Sequence, residues 1–142
     1  GAAFVANGPG LGHLATYLLV TALACVGYGA VFLALSLVFK NPIVPLEQAE
    51  ALLTRNPGLP MFRGNGPDTR KLSAAWFIDA AGWKGHRDGN AGVAASHALV
   101  LVNHGNASGQ QLLTLARRIA DSVRTRFAVS IEPEPRIVGA SW

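Results

Sequence analysis

Hydrophobic and polar positions divide the chain into two unlike parts. From Leu14 to Phe39 the chain is mostly apolar without a formal charge, and the first charged residue is Lys40. A run of that length can cross a bilayer, which needs roughly 20 mostly apolar residues, but its residues suit a buried strand equally well. Residues 1–38 are therefore interpreted as an atypical hydrophobic leader, either a transmembrane helix or a remnant of a missing region, and residues 39–142 as a domain.

Apolar residues recur at helical spacing in three segments after Lys40, which predicts helices at 46–55, 72–81 and 109–126. Pro45 suits the start of the first, and Gly82 suits the end of the second. Ser108 and Gln111 form an S-x-x-Q capping box before the third. The apolar stripe of the third helix comprises Leu112, Leu115, Ala116, Ile119, Val123 and Phe127.

The patterns that predict strands are weaker than those that predict helices. The short apolar run around 98–103 suits a central strand buried on both faces. Residues 129–138 alternate, with Glu132, Glu134 and Arg136 on the polar side, and two prolines restrict this segment to an edge strand or an extended arm. Segments 59–70 and 85–92 are predicted loops. Together these patterns predict an α+β fold, a two-layer domain with a small mostly antiparallel sheet packed against helices, preceded by a hydrophobic segment.

Composition and charge add few functional constraints. Twelve Lys and Arg against eight Asp and Glu give a net charge of +4, which a solvated helix face explains as well as a nucleic-acid partner does. The single cysteine, Cys25, excludes an intramolecular disulfide, and the four histidines lack metal-ligand spacing. We expect neither a metal nor a nucleic-acid partner, although binding through the arginine-rich side of the third helix stays an open alternative.

Five ordered segments together resemble a known family. They are FKNPIV (39–44), KLSAAWFIDAAGWKG (71–85), ALVLVNHGNAS (98–108), the amphipathic helix, and IEPEPRIVGAS (131–141). The set is similar to the C-terminal, substrate-binding domain of UDP-N-acetylenolpyruvoylglucosamine reductase, in the family's longer form. This family consists of flavoenzymes of peptidoglycan precursor synthesis, also called UDP-N-acetylmuramate dehydrogenases. The resemblance covers residues 39–141.

The resemblance implies a two-step reduction of UDP-N-acetylglucosamine enolpyruvate. NADPH reduces FAD, and the flavin then delivers hydride to the enolpyruvyl double bond while a side chain protonates the adjacent carbon. The family binds FAD in an N-terminal region that is not recognisable in residues 1–38. This chain is therefore expected to bind neither cofactor alone, to be inactive as a fragment, and to need the missing FAD-binding region as a partner.

The resemblance also assigns candidate site residues. The second Glu of the family's E-P-E-x-R segment falls on Glu134, which is associated with protonation, and Arg136 shares its face and could hold a substrate anion. Asn41 matches a ligand of the substrate diphosphate, with Lys40 beside it as a weaker candidate. His97 stands near a family substrate contact.

One catalytic position departs from the family. The motif before K-N-P is G-S-F-F, whose Ser supplies the proton, but an ungapped alignment places Leu37 there and Ser36 one residue away. A shift of one residue turns a strand side chain to the opposite face, so Ser36 could act only with a local slip.

Two locations stay open. The family implies the cytoplasm. If residues 14–39 span a membrane, the basic residues that follow them orient the C-terminal domain toward the cytoplasm. The alternative function is then a membrane-tethered binding module that has lost enzymatic activity.

Overall fold

Two small antiparallel sheets and three helices make up the part of the chain that the computed structural model describes, residues 38–135 and 137–142. The α+β class is therefore confirmed. Residues 1–37 of the leader, including Ser36 and all but the last two residues of the 14–39 run, lie outside the described residues, as does Arg136. In chain order the elements are β1 (Ile43–Pro45), α1 (Leu46–Arg55), β2 (Met61–Arg63), β3 (Thr69–Leu72), α2 (Ala74–Ala80), β4 (Arg87–Asp88), β5 (Ala91–Val93), β6 (Leu101–Asn103) and α3 (Gly109–Phe127).

The three predicted helices are present. Helix α1 has the predicted bounds, whereas α2 begins two residues later because Leu72 belongs to β3 and Ser73 is the N-cap, its hydroxyl accepting from the Trp76 N–H at 3.1 Å. The capping box of α3 is confirmed. The Gln111 N–H donates to Ser108 Oγ at 3.1 Å, and the Ser108 N–H donates to Gln111 Oε1 at 2.7 Å.

The apolar stripe of α3 faces the core much as predicted. Leu115, Ala116, Ile119, Val123 and Phe127 are buried, but Leu112 is only half-buried. The additional buried residue is Leu113, which lies three residues before Ala116 and hence on the same side of the helix. The buried face of α3 is thus wider than the predicted apolar stripe.

The first sheet has the order β1-β3-β2, and both of its pairings are antiparallel. Its strands β2 and β3 occupy or border segment 59–70, so the predicted loop there is wrong. The strands are three and four residues long, which is too short for alternation to show.

The second sheet has the order β4-β5-β6, so its central strand lies in and beside the predicted loop 85–92, not in the run 98–103. All three residues of β5 are buried. Strand β6 is at the edge, with Leu101 buried and Val102 half-buried, so a central strand covered on both faces was the wrong prediction. Gly92 explains why β5 escaped the pattern, because a Cβ there would lie 2.9 Å from both His104 Nε2 and the His86 carbonyl oxygen.

The predicted strand 129–138 is reduced to a single antiparallel bridge between Phe39 and Pro133. Proline nitrogens cannot donate to a ladder, and Pro133 and Pro135 interrupt this segment. Its alternation is nevertheless observed from 129 to 134: Val129, Ile131 and Pro133 are buried, while Ser130, Glu132 and Glu134 are exposed.

The prediction of a membrane-spanning helix at residues 14–39 can be compared with the structure only where the chain is described. Among residues 38–135 and 137–142, no helix combines the length and apolar character needed to cross a bilayer.

Candidate functional site

The N-terminal and C-terminal ends of the described domain meet at the bridge between Phe39 and Pro133. The Lys40 N–H donates to the Glu132 carbonyl at 2.9 Å, and the Glu134 N–H donates to the Val38 carbonyl at 2.6 Å. Because Phe39 and Pro133 are buried, strand alternation places Lys40 and both glutamates on exposed positions beside them. The bridge therefore unites the K-N-P and E-P-E segments, which are far apart in the sequence.

An ion pair extends this backbone contact. Lys40 Nζ lies 3.3 Å from Glu132 Oε2, and the two side chains are 53% and 61% exposed. Exposed pairs of this kind contribute roughly 0–1 kcal/mol to stability. The pair therefore contributes little to the stability of the fold, but it determines where the Lys40 ammonium group lies.

An open groove of about 500 Å³ lies beside the bridge. Its wall contains Pro42 and the whole of β1, and its polar groups come from the K-N-P segment, α1 and the residues after α3. These polar lining residues are Lys40, Asn41, Gln48, Ser130 and Glu132. The Gln48 side chain donates to the Ala128 carbonyl at 3.2 Å, which ties α1 to the end of α3, and both residues line the groove.

The Asn41 side chain is oriented by the helix that follows β3. Its Oδ1 accepts a hydrogen bond from the backbone N–H of Ala74, the first residue of α2, at 2.9 Å. The carbonyl end of this amide is therefore engaged with protein, and its NH₂ group is the part that can donate to a ligand. Together with the Lys40 ammonium group, it supplies donors suited to phosphate oxygens.

The other predicted site residues that the structure describes are not among those that line this groove. Glu134 is exposed on the bridged segment, but the carboxylate that lines the groove with Asn41 belongs to Glu132. His97 is exposed in the turn before β6, where its carbonyl accepts from the Val100 N–H at 3.1 Å. The roles of Glu134 and His97 stay predictions, as do those of Ser36 and Arg136, which lie outside the described residues.

Sequence reasoning missed Glu132, Ser130 and Gln48 as lining residues. Glu132 and Ser130 belong to the polar row of segment 129–138, so the signal for an exposed face was present. Their proximity to Asn41 depends on the bridge, which no local pattern indicates. Gln48 carried no signal, because a polar residue in the first turn of an amphipathic helix is typical of a solvated face.

The structure defines an α+β domain with an open groove, and the Lys40 and Asn41 side chains that line it carry hydrogen-bond donors. A family model described as UDP-N-acetylenolpyruvoylglucosamine reductase, C-terminal domain, matches residues 34–138. The chain therefore belongs to this family, as its C-terminal domain, which confirms the resemblance.

Several curated relatives carry the same name. The UDP-N-acetylenolpyruvoylglucosamine reductase of Xylella fastidiosa (strain 9a5c) is 61% identical over 104 residues, covering 73% of this chain and 30% of the relative. The reductase of Xanthomonas oryzae pv. oryzae (strain KACC10331 / KXO85) is 58% identical over 73% of this chain and 31% of the relative. That of Xanthomonas campestris pv. campestris (strain B100) is 57% identical, with 73% and 30% covered. The chain thus spans less than a third of the length of these relatives.

Proposed function

We propose that this chain supplies the substrate-binding part of a UDP-N-acetylmuramate dehydrogenase, which reduces the enolpyruvyl group of UDP-N-acetylglucosamine enolpyruvate in peptidoglycan precursor synthesis. The observation that carries the proposal is the bridge between Phe39 and Pro133. It sets Lys40 and Asn41 beside the segment that bears Glu134, and these are the two segments that the family resemblance associates with the substrate.

Each proposed role follows from the chemistry of the side chain. The Lys40 ammonium and the Asn41 NH₂ group donate to the substrate diphosphate, and Arg136 and His97 add contacts to substrate anions or hydroxyls. Glu134 supplies the proton to the carbon beside the one that receives hydride, which requires its carboxyl group within hydrogen-bond reach of that carbon. Ser36 is the alternative proton donor.

The groove suits the diphosphate better than it suits a flavin. Its lining is open, with exposed polar groups and short apolar side chains, whereas an isoalloxazine ring needs broad apolar walls that bury both of its faces. Bound FAD would supply the transfer of hydride from NADPH to the substrate. We propose that residues outside the described part of the chain hold both cofactors and that the chain alone is inactive. The proposed location is the cytoplasm, where the nucleotide substrate and NADPH occur.

The test uses a chimeric reductase in which residues 38–142 of this chain replace the matching part of the Xylella fastidiosa relative. Stopped-flow absorbance at the flavin bands separates reduction of FAD by NADPH from its reoxidation by the enolpyruvyl substrate. Glu134→Gln is expected to slow reoxidation by about 10²-fold or more, because general acid catalysis contributes on that order, and to leave the reduction by NADPH unchanged.

The matched control is Glu50→Gln, which removes an exposed carboxylate from α1, away from the bridge. It is expected to leave both half-reactions unchanged. Equal loss of both half-reactions in Glu134→Gln would refute the assignment of Glu134, and a chimera that binds FAD but never reacts with substrate would refute the proposed function.

A further inference from the structure

Among the described residues that line the groove, Glu132 supplies the carboxylate and Lys40 supplies the ammonium group, and the two are paired with each other at 3.3 Å. The backbone also favours this ion pair. The Lys40 N–H already donates to the Glu132 carbonyl at 2.9 Å, so the bridge brings both side chains to the same place.

This arrangement puts a negative charge in a groove whose donors suit an anion. A phosphate group that approaches Lys40 must compete with the Glu132 carboxylate for the ammonium group. It must also approach that carboxylate closely, and like charges a few ångströms apart repel one another even in water. Glu132 therefore opposes every anion that uses Lys40 alone.

We propose that Glu132 is a positioning residue that holds Lys40 in the ligand-free protein and lowers the affinity of the groove for anions, so that a ligand needs a second anchoring group to bind tightly. A simple anion gains Lys40 only by displacing Glu132. A sugar nucleotide diphosphate also engages the Asn41 NH₂ group and further contacts, which offset the lost ion pair. This inference rests on the proposed function, because it concerns the same groove and the same diphosphate.

The experiment is an NMR titration of the full 142-residue chain at low salt, following the amide signals of Lys40 and Asn41 with inorganic pyrophosphate and, separately, with UDP as probes. Glu132→Gln is expected to bind pyrophosphate about three- to fivefold more tightly than the wild-type chain, since an exposed ion pair and a nearby like charge are worth that much in affinity. The gain is expected to vanish near 1 M salt, where the Debye length is about 3 Å.

Three variants distinguish a charge effect from a structural one. In a Lys40→Gln background, adding Glu132→Gln is expected to give no more than about a twofold gain, because the ammonium group for which the carboxylate competes is absent. Glu132→Asp keeps the charge and is expected to bind within about twofold of wild type. Asp79→Asn is the matched control, because it breaks another exposed ion pair, to Lys84 at 3.8 Å, outside the groove.

The outcomes separate the two proposals. Unchanged or weaker pyrophosphate binding in Glu132→Gln, with binding by wild type intact, overturns this role of Glu132 and leaves the proposed function standing. A gain that persists in the Lys40→Gln background, or that Glu132→Asp reproduces, also overturns it. If neither probe shifts the signals of wild type or of any variant, the proposed diphosphate site fails together with this inference.

Discussion

Asn41 Oδ1 accepts a hydrogen bond from the Ala74 N–H at 2.9 Å, so the candidate site is joined to the first turn of α2. One side chain thereby serves two purposes. Its carbonyl oxygen satisfies a backbone donor that lacks an intrahelical partner, and its NH₂ group remains for a ligand. These two purposes can be separated by substitution.

Asn41→Asp keeps the acceptor for Ala74 but replaces the NH₂ donors with a negative charge. We expect the free energy of unfolding to stay within about 0.5 kcal/mol of wild type, and UDP binding to be lost. Asn41→Ala is expected to lose binding and also about 1 kcal/mol of stability, because the Ala74 N–H loses its partner. Urea denaturation and the NMR titration with UDP measure the two effects, and UDP binding by Asn41→Asp at wild-type affinity would contradict the proposed donor role.

Phe39 anchors the bridge through burial. It is 1% exposed and packs edge-on against Trp142 with ring centroids 6.2 Å apart. Phe39→Ala is expected to cost about 3–5 kcal/mol in the free energy of unfolding, because truncating a buried aromatic loses transfer energy and leaves a cavity. The matched control is Phe62→Ala, since Phe62 is 53% exposed, and it should change stability by less than about 1 kcal/mol. Urea denaturation curves that give the two variants equal stability would disprove the anchoring role.

Gly92 allows the second sheet to close against the His86 and His104 segments. Gly92→Ala places a Cβ 2.9 Å from the His86 carbonyl oxygen and from His104 Nε2, so we expect a loss of about 1–3 kcal/mol. Adding His104→Ala should recover only part of that loss, because the backbone clash remains. Gly109→Ala is the control, since a Cβ there meets no atom within 4 Å at the start of α3. Thermal melts followed by circular dichroism provide the comparison, and equal melting temperatures for Gly92→Ala and wild type would show that the approach is looser than described.

The capping box sets the start of α3. Ser108→Ala removes the acceptor of the Gln111 N–H and should cost about 1 kcal/mol. A melting temperature lower by about 4–8 °C is the expected result. Gln110→Ala, which changes an exposed residue of the same turn, should leave the melting temperature within about 2 °C of wild type. If the two substitutions had equal effects, the cap would not be what stabilises this end of the helix.

Helices and caps were largely predictable because their determinants are neighbours in the sequence. Helix boundaries are marked through local backbone chemistry by Pro45, by Ser108 with Gln111, and by Gly82, and the apolar stripe of α3 repeats over about four turns. The strands were not predictable in this way, because β2, β4 and β5 are two or three residues long and pair with other segments of the chain. Gly92 even lacks the side chain that would reveal a buried position.

The candidate site shows the same division. The sequence by itself determined the family, the K-N-P and E-P-E segments, and the alternation that exposes Glu132 and Glu134, since all of these depend on residue types at short spacing. Only the tertiary structure decided that Lys40 is paired with Glu132, that Asn41 is engaged by Ala74, and that Glu132 lines the groove. These relationships depend on the register of one bridge between the two ends of the domain, and register is set by packing of the buried Phe39 and Pro133, not by any local pattern.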